Sequence, residues 1–244
     1  MNKEMSFWEH IAELRYRVIV CLIFIGIGVT VSFPFSKDVL KLLEMPSKGL
    51  IHNLVFFSPQ DAFLIYLRIS ILTGLIMALP IIMFQIWEFI SPAMEKKTKK
   101  YVTGFILFGT LLFLTGISFV FLLVLPFGLK FLLLLGGKQL TPMISANSYI
   151  SFVVGSLIAG GIIFQMPVLS FFLTKMGMIN WQFLTSKIRY GIVGIFIISA
   201  ILAPSPDMFS MFMMAIPMFF LYGVSLLVSF IANPKRKYVY VYDS

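Results

Sequence analysis

Between positions 18 and 232 the sequence divides into six apolar runs, and within them stands one charge, Arg189 at the second position of the fifth. The runs are residues 18–33, 69–87, 101–125, 149–174, 188–203 and 208–232. A helix that crosses the hydrocarbon core of a bilayer needs about 20 apolar residues, within a range of roughly 17 to 25. The first and fifth runs are short, and they close on Pro34 and on Pro204-Ser205-Pro206. The strands of a membrane barrel alternate polar and apolar residues; these runs do not, so they predict helices. Pro80, Pro167 and Pro217 fall inside runs two, four and six, and Pro126 follows run three. A proline in a spanning helix frees a carbonyl that neighbouring helices must satisfy. The expected fold is therefore an all-α integral membrane protein, with six transmembrane helices packed as one domain.

Composition agrees. Charged residues make up 12% of the chain and hydrophobic ones 59%, where a soluble domain carries roughly 25% charged residues. So few charges cannot solvate a surface, and lipid is the main solvent. The 27 phenylalanines suit lipid-facing and interhelical packing. Cys21 is the single cysteine, so an internal disulfide is excluded. The start does not read as a cleavable signal peptide: its charge is mixed, no small-residue cleavage site follows, and further apolar runs come after it.

An even number of spans puts both termini on one side. Lys and Arg accumulate on the cytoplasmic side of membrane proteins. Lys3, Arg15 and Arg17, Lys96, Lys97, Lys99 and Lys100, Lys175, Lys187 and Arg189, and Lys235, Arg236 and Lys237 share one side, 13 of the 19 cations. The other side holds Lys37, Lys41, Lys48, Arg68, Lys130 and Lys138. Both termini are thus expected in the cytoplasm or its organellar counterpart. The net charge of +9 is topology; no soluble basic domain exists to bind nucleic acid.

The long connection over residues 34–68 predicts amphipathic or re-entrant helices along the outer surface. The last outer loop, "APSPD", makes spans five and six a tight hairpin. No internal repeat of the kind found in many transporters is visible. The two histidines, His10 and His52, fall on opposite sides of the membrane, and no nucleophile–base, metal or phosphate-loop spacing accompanies them. The expectation is no enzyme, no metal and no cofactor.

Polar chemistry collects at the span edges. In "FWEHIAELRYRV", residues 7–18, helical spacing puts His10, Glu13 and Arg17 on one face, and Phe7, Ile11, Leu14 and Val18 in an apolar stripe. One reading is an interfacial helix with Glu13 and Arg17 as a solvated pair. The other is a carboxylate held at the membrane surface to grip a cationic ligand; carboxylates match arginine in a bidentate fork. Within the spans, Gln85 and Gln165 suit hydrogen bonds between helices, and a polar group deep in lipid is a functional candidate by default. Asp207 suits a helix N-cap at the start of span six.

Read in order, "HIAELRYR", "SPQDAF", "ALPIIMFQIWEFISPAM", "YISF", "FQMPV" and "LAPSPDMFSMFMMAIPM" resemble the TatC family, the multispanning subunit of the twin-arginine protein translocase. Each motif alone is weak; the series covers nearly the whole chain. The resemblance implies a cupped six-helix bundle and a receptor for twin-arginine signal peptides of folded cargo. It implies single-span TatA-like and TatB-like partners, a homo-oligomer within the complex, and transport driven by the protonmotive force. It places the protein in a bacterial inner membrane, or in a thylakoid or mitochondrial inner membrane. Glu13 and Arg15 match the family's signal-binding motif; Pro80, Gln85, Gln165 and Asp207 become candidates for partner contact or transport.

The sequence also departs from the family pattern. Thr98 stands where the family's second signal-binding acid lies, and Glu95, one helical turn earlier, is the carboxylate able to replace it. Gln165 and Gly223 stand where acids are frequent. Glutamine cannot titrate, so no proton passes through residue 165. Two other classes compete. A small-solute transporter wants a polar midplane site, for which only Gln85 and Gln165 offer polarity. A membrane scaffold without cargo binding leaves Glu13 and Arg15 unexplained.

Overall fold

The computed structural model describes residues 7–48, 50–51, 54–90, 102–135, 143–203 and 207–232. Helix α1, Phe7–Ser32, runs unbroken from the charged "HIAELRYR" stretch into the first apolar run. It contains no proline, and its end comes where Pro34 enters a single 3-10 turn, Phe33–Phe35. A short amphipathic helix follows, α2, Ser36–Leu43, which buries Ser36 and Leu43. Helix α3, Asp61–Ile90, begins well before residue 69, and Pro80 sits inside it without ending it.

The third span continues past Pro126. Helix α4, Val102–Phe119, passes through a π-helical segment, Val120–Val124, into α5, Leu125–Leu135. In a regular helix the Pro126 ring would meet the carbonyl four residues earlier; the wider π turn just before it relieves that crowding. The fourth span is two helices rather than one. Helix α6, Ala146–Ile163, stops at a turn over Phe164 and Gln165, and α7, Met166–Lys175, starts there with Pro167 in its first turn. Proline is tolerated in a first turn, where its missing N–H has no helical partner to lose. Helix α7 ends on Gly177, whose φ of 74° lies in the left-handed region. Met178 N donates to Leu173 O and Gly177 N to Thr174 O, which closes the helix end. Helices α8, Trp181–Ser186, α9, Ile188–Leu202, and α10, Met208–Ala232, complete the chain. Among the described residues, five helices are long and apolar enough to cross a membrane, and α9 is a shorter sixth.

The core forms around α6, where Ile150 and Val153 are fully buried. It packs against α3 and α4, while α1 lies along α3 and α10 along α7 and α9. Two backbone contacts set the closest approaches. A Cβ on Gly28 would lie 2.7 Å from the Gly74 carbonyl oxygen, and one on Gly116 would lie 2.6 Å from that of Gly160. Small residues let spanning helices approach in this way, since lipid supplies no hydrophobic drive between them. Hydroxyls join α7 to α10: Ser170 Oγ donates to Ser225 O at 3.1 Å and Thr174 Oγ1 to Ser229 Oγ at 2.9 Å. Ile201, Phe220 and Ile231 stand about three-quarters exposed. In water they would be a liability; in a bilayer they face the solvent that suits them.

The end of the bundle opposite Glu13 is tied by polar groups. Strands β1, Leu54–Val55, and β2, Ile144–Ser145, pair in parallel. Asp61 is buried; it accepts from Phe57 N at 3.2 Å and Ser58 N at 3.1 Å. Asn147 Nδ2 donates to Asp61 Oδ1 at 3.1 Å, and Arg68 donates to the side chains of Asn147 and Ser151. Tyr149 Oη donates to Leu43 O at 2.8 Å. Residues from "SPQDAF" and "YISF" thus hold the loops to the bundle.

Candidate functional site

The first turns of α1 face the last turns of antiparallel α3, and their polar residues meet there. Arg17 Nε donates to Glu13 Oε1 at 3.0 Å, and its Nη2 donates to the same oxygen. Its Nη1 donates to Gln85 Oε1 on α3 at 3.1 Å. Glu88 Oε2 lies 3.8 Å from Arg17 Nη2. Below them, the His10 ring stacks on Phe89 with centroids 4.4 Å apart. Helical spacing brings His10, Glu13 and Arg17 to one side of α1, and that side is turned to α3.

This is not the solvated pair of an ordinary surface helix. The Arg17 and Glu13 side chains are 16% and 18% exposed. Exposed pairs at this spacing contribute about 0.3–0.5 kcal/mol; partial burial and the bond to Gln85 make this one a contact between two spans. Glu13 Oε2 is buried and has no hydrogen-bond partner among the described residues. An unsatisfied buried polar atom costs about 1–3 kcal/mol, more if charged. Such an atom calls for an explanation, and a ligand donor is one.

Other predicted residues fall elsewhere. Arg15 is exposed and, two positions from Glu13, points from the opposite side of α1; the guanidinium that meets Glu13 is Arg17. Glu95 and Thr98 lie outside the described residues, as do His52 and the Pro204-Ser205-Pro206 break. Gln165 sits at the turn between α6 and α7, where its Nε2 donates to Gly109 O on α4 at 2.9 Å. Asp207 Oδ1 accepts from Ser210 N at 2.7 Å, the geometry of an N-cap on α10. At the Glu13 end a groove of about 410 Å³ opens between α3, α4, α7 and α10, lined by Trp87, Phe105, Phe108, Phe171 and Ile231 with Lys175. Among the described residues no three His, Cys, Asp or Glu side chains come together as a metal site. The sequence reading missed the Asp61–Asn147–Arg68 network; a buried-type Asp beside a Ser-Pro turn was its only signal.

Comparison with known proteins sets this geometry in a family. The family profile described as "Sec-independent protein translocase protein (TatC)" matches residues 9–217. The chain belongs to the TatC family. It is 40% identical over 237 residues to the Sec-independent protein translocase protein TatC of Aquifex aeolicus, covering 96% of this chain and 98% of the relative. It is 36% identical over 235 residues to that of Carboxydothermus hydrogenoformans, covering 96% and 97%. A crystal structure titled as the twin-arginine translocase receptor TatC superposes with a TM-score of 0.80 at 39% identity, over 92% of this chain and all of that one. The six-span bundle is the TatC fold, and the chain is a multispanning membrane protein of that translocase. Glu13, Arg17, Pro80, Gln85, Glu88, Gln165 and Asp207 all lie within the stretch matched to TatC.

Proposed function

We propose that this chain is the signal-peptide receptor of a twin-arginine translocase, with the Glu13 end of the bundle facing the cytoplasm or its organellar counterpart. The observation that carries the reading is the Glu13 carboxylate. It is held at the edge of the first span, with one oxygen on Arg17 and the other buried with no hydrogen-bond donor among the described residues. An arginine of a signal peptide presents paired N–H groups that fit a carboxylate edge to edge, which a lysine ammonium does not. Glu13 supplies the anion, Gln85 and the His10–Phe89 stack hold α1 in place against α3, and Glu95 adds a second carboxylate from the loop after span two. Folded cargo then follows its signal, with single-span TatA-like and TatB-like subunits recruited to the bundle and the protonmotive force driving passage. The concentration of Lys and Arg around the termini and the loop after α3 supports the orientation. The membrane is a bacterial inner membrane, or a thylakoid or mitochondrial inner membrane.

The test is photocrosslinking in membranes. A twin-arginine signal peptide carrying a photoreactive group should label the N-terminal turns of α1, and a twin-lysine version should not. Equal labelling by both, or by neither, contradicts the proposal.

A further inference from the structure

We infer that the groove between α3, α4, α7 and α10 is a binding site for one anionic phospholipid of the surrounding leaflet, with the phosphate on Lys175 and an acyl chain along the apolar walls. The inference goes beyond the receptor reading above and takes from it only which leaflet is meant, the one on the cytoplasmic side.

The mouth of the groove lies where helices end. Helix α4 starts at Val102, α7 stops at Lys175 and α10 stops at Ala232. Pro167 and Val168 also line the groove, and the eight-residue step from Lys175 back to Pro167 is about 12 Å of helix. The groove therefore runs from the membrane surface into the hydrocarbon. Its volume of about 410 Å³ falls within the ~300–1,000 Å³ of small-ligand sites. Phe105 and Val168 are buried walls, whereas Phe108 and Ile231 are 50% and 74% exposed, so one side is open to lipid. Gly104 keeps the opening clear: a Cβ there would meet nothing within 4 Å.

Lys175 is the one charged side chain lining the groove among the described residues. Its Nζ donates to Ala232 O at 2.7 Å and stands 5.8 Å from the Phe171 ring centroid, over a groove wall. An ammonium carries three donors, so two remain for phosphate oxygens. The C-terminal carbonyls of α7 and α10 alone would repel an anion, and the cations around them reverse that field. Lys99 and Lys100 come just before Val102 in the chain, and Lys235, Arg236 and Lys237 follow soon after Ala232. The nearest acid along those flanks is Glu95. Glu88, next to Trp87, lies 3.8 Å from Arg17 on the α1 side. Basic pockets between spanning helices on the cytoplasmic side favour acidic head groups.

The shape favours a lipid over a peptide. A helix with its side chains is about 10–12 Å across, more than a groove of this volume and depth admits. An extended peptide would leave backbone N–H and C=O groups unpaired against apolar walls. An acyl chain has no polar group to satisfy, and its head group meets Lys175 at the surface.

The test uses the full chain, delipidated in detergent, and native mass spectrometry with phosphatidylglycerol and with phosphatidylcholine of the same acyl chains. The parent should retain one phosphatidylglycerol about tenfold more tightly than phosphatidylcholine, a change within reach of one charged hydrogen bond. Lys175→Gln should remove that preference and Lys175→Arg should keep it. Gly104→Leu, which puts a side chain into the groove, should weaken retention of both lipids. Lys130→Gln, at an exposed site on α5, should change neither. A phosphatidylglycerol with a diazirine in its acyl chain should label the segments that carry Phe108 and Phe171. Equal retention of the two lipids by the parent, or parental phosphatidylglycerol binding in both Lys175→Gln and Gly104→Leu, overturns the inference. So does labelling of the groove by a twin-arginine signal peptide that phosphatidylglycerol does not displace, which would make the apolar part of the signal its occupant. No lipid readout involves Glu13, so failure of the lipid site leaves the receptor reading standing. Parental affinity of Glu13→Gln for the signal peptide sinks the receptor reading and leaves the lipid site.

Discussion

Gln165 Nε2 donates to the backbone carbonyl of Gly109 across 2.9 Å, joining the turn between α6 and α7 to the middle of α4. The other end of the same amide, Oε1, is buried with no hydrogen-bond partner among the described residues. Half of the group stitches the bundle and half is left without a donor among the described residues. A side-chain hydrogen bond between spans contributes roughly 0.6–2 kcal/mol. Gln165→Leu should therefore lower thermal stability in detergent only modestly, and should reduce crosslinking to TatA-like or TatB-like subunits much more. Unchanged crosslinking to both partners would count against a role for the amide in partner contact.

The α1–α3 seam makes a sharper structural prediction. A Cβ at Gly28 would meet the backbone of Gly74, with its carbonyl oxygen at 2.7 Å, whereas a Cβ at Gly26 meets nothing within 4 Å. Backbone cannot step aside as a flexible side chain can, and overpacking of this kind costs about 1–3 kcal/mol. Gly28→Ala should destabilise the bundle by that order and loosen the Arg17–Gln85 contact. Gly26→Ala should be neutral or slightly stabilising, since alanine is favoured over glycine in a helix by about 1 kcal/mol. Thermal unfolding of the two variants, followed by size exclusion, makes the comparison; equal midpoints would refute the seam.

The loop after α3 bears on how many carboxylates face the signal. Glu95 is surrounded in sequence by Lys96, Lys97, Lys99 and Lys100, whose repulsion of a cationic peptide is screened beyond about 8–10 Å at physiological salt. A close contact with Glu95 survives that screening. Glu95→Gln should weaken signal-peptide binding, and Thr98→Glu should strengthen it by about 10- to 100-fold, the range for a charged hydrogen bond. Binding titrations on both variants decide the point: parental affinity in Glu95→Gln removes Glu95 from the site.

Much of this architecture is written in the sequence because lipid tolerates so few charges. Six apolar runs with a single charge, Arg189, among them give six spans, and proline marks where they bend. Their ends are harder to read, since apolarity reports contact with lipid and not helical hydrogen bonding. Helix α1 therefore already runs through the charged stretch before residue 18, and α3 starts at Asp61, on a buried carboxylate. The break at Gln165 and the π turn before Pro126 depend on how a helix absorbs a proline, which local sequence leaves open. The face bearing His10, Glu13 and Arg17 follows from helical spacing. Its partners Gln85 and Glu88 do not, because their approach depends on the rotation of α1 against α3 set at Gly28 and Gly74. The Glu13–Arg17 pair itself lies within α1 at i,i+4 spacing and is legible, while Arg15 points from the other side of the helix.

The most direct measurement of the central claim is the affinity of a twin-arginine signal peptide for Glu13→Gln in nanodiscs, beside the parent chain. The substitution keeps the size and hydrogen-bonding reach of the side chain and removes only its charge. Loss of detectable binding, with the variant still inserted and monodisperse, is the predicted result. Binding equal to the parent would contradict the receptor account and favour a membrane scaffold that does not read the arginine pair.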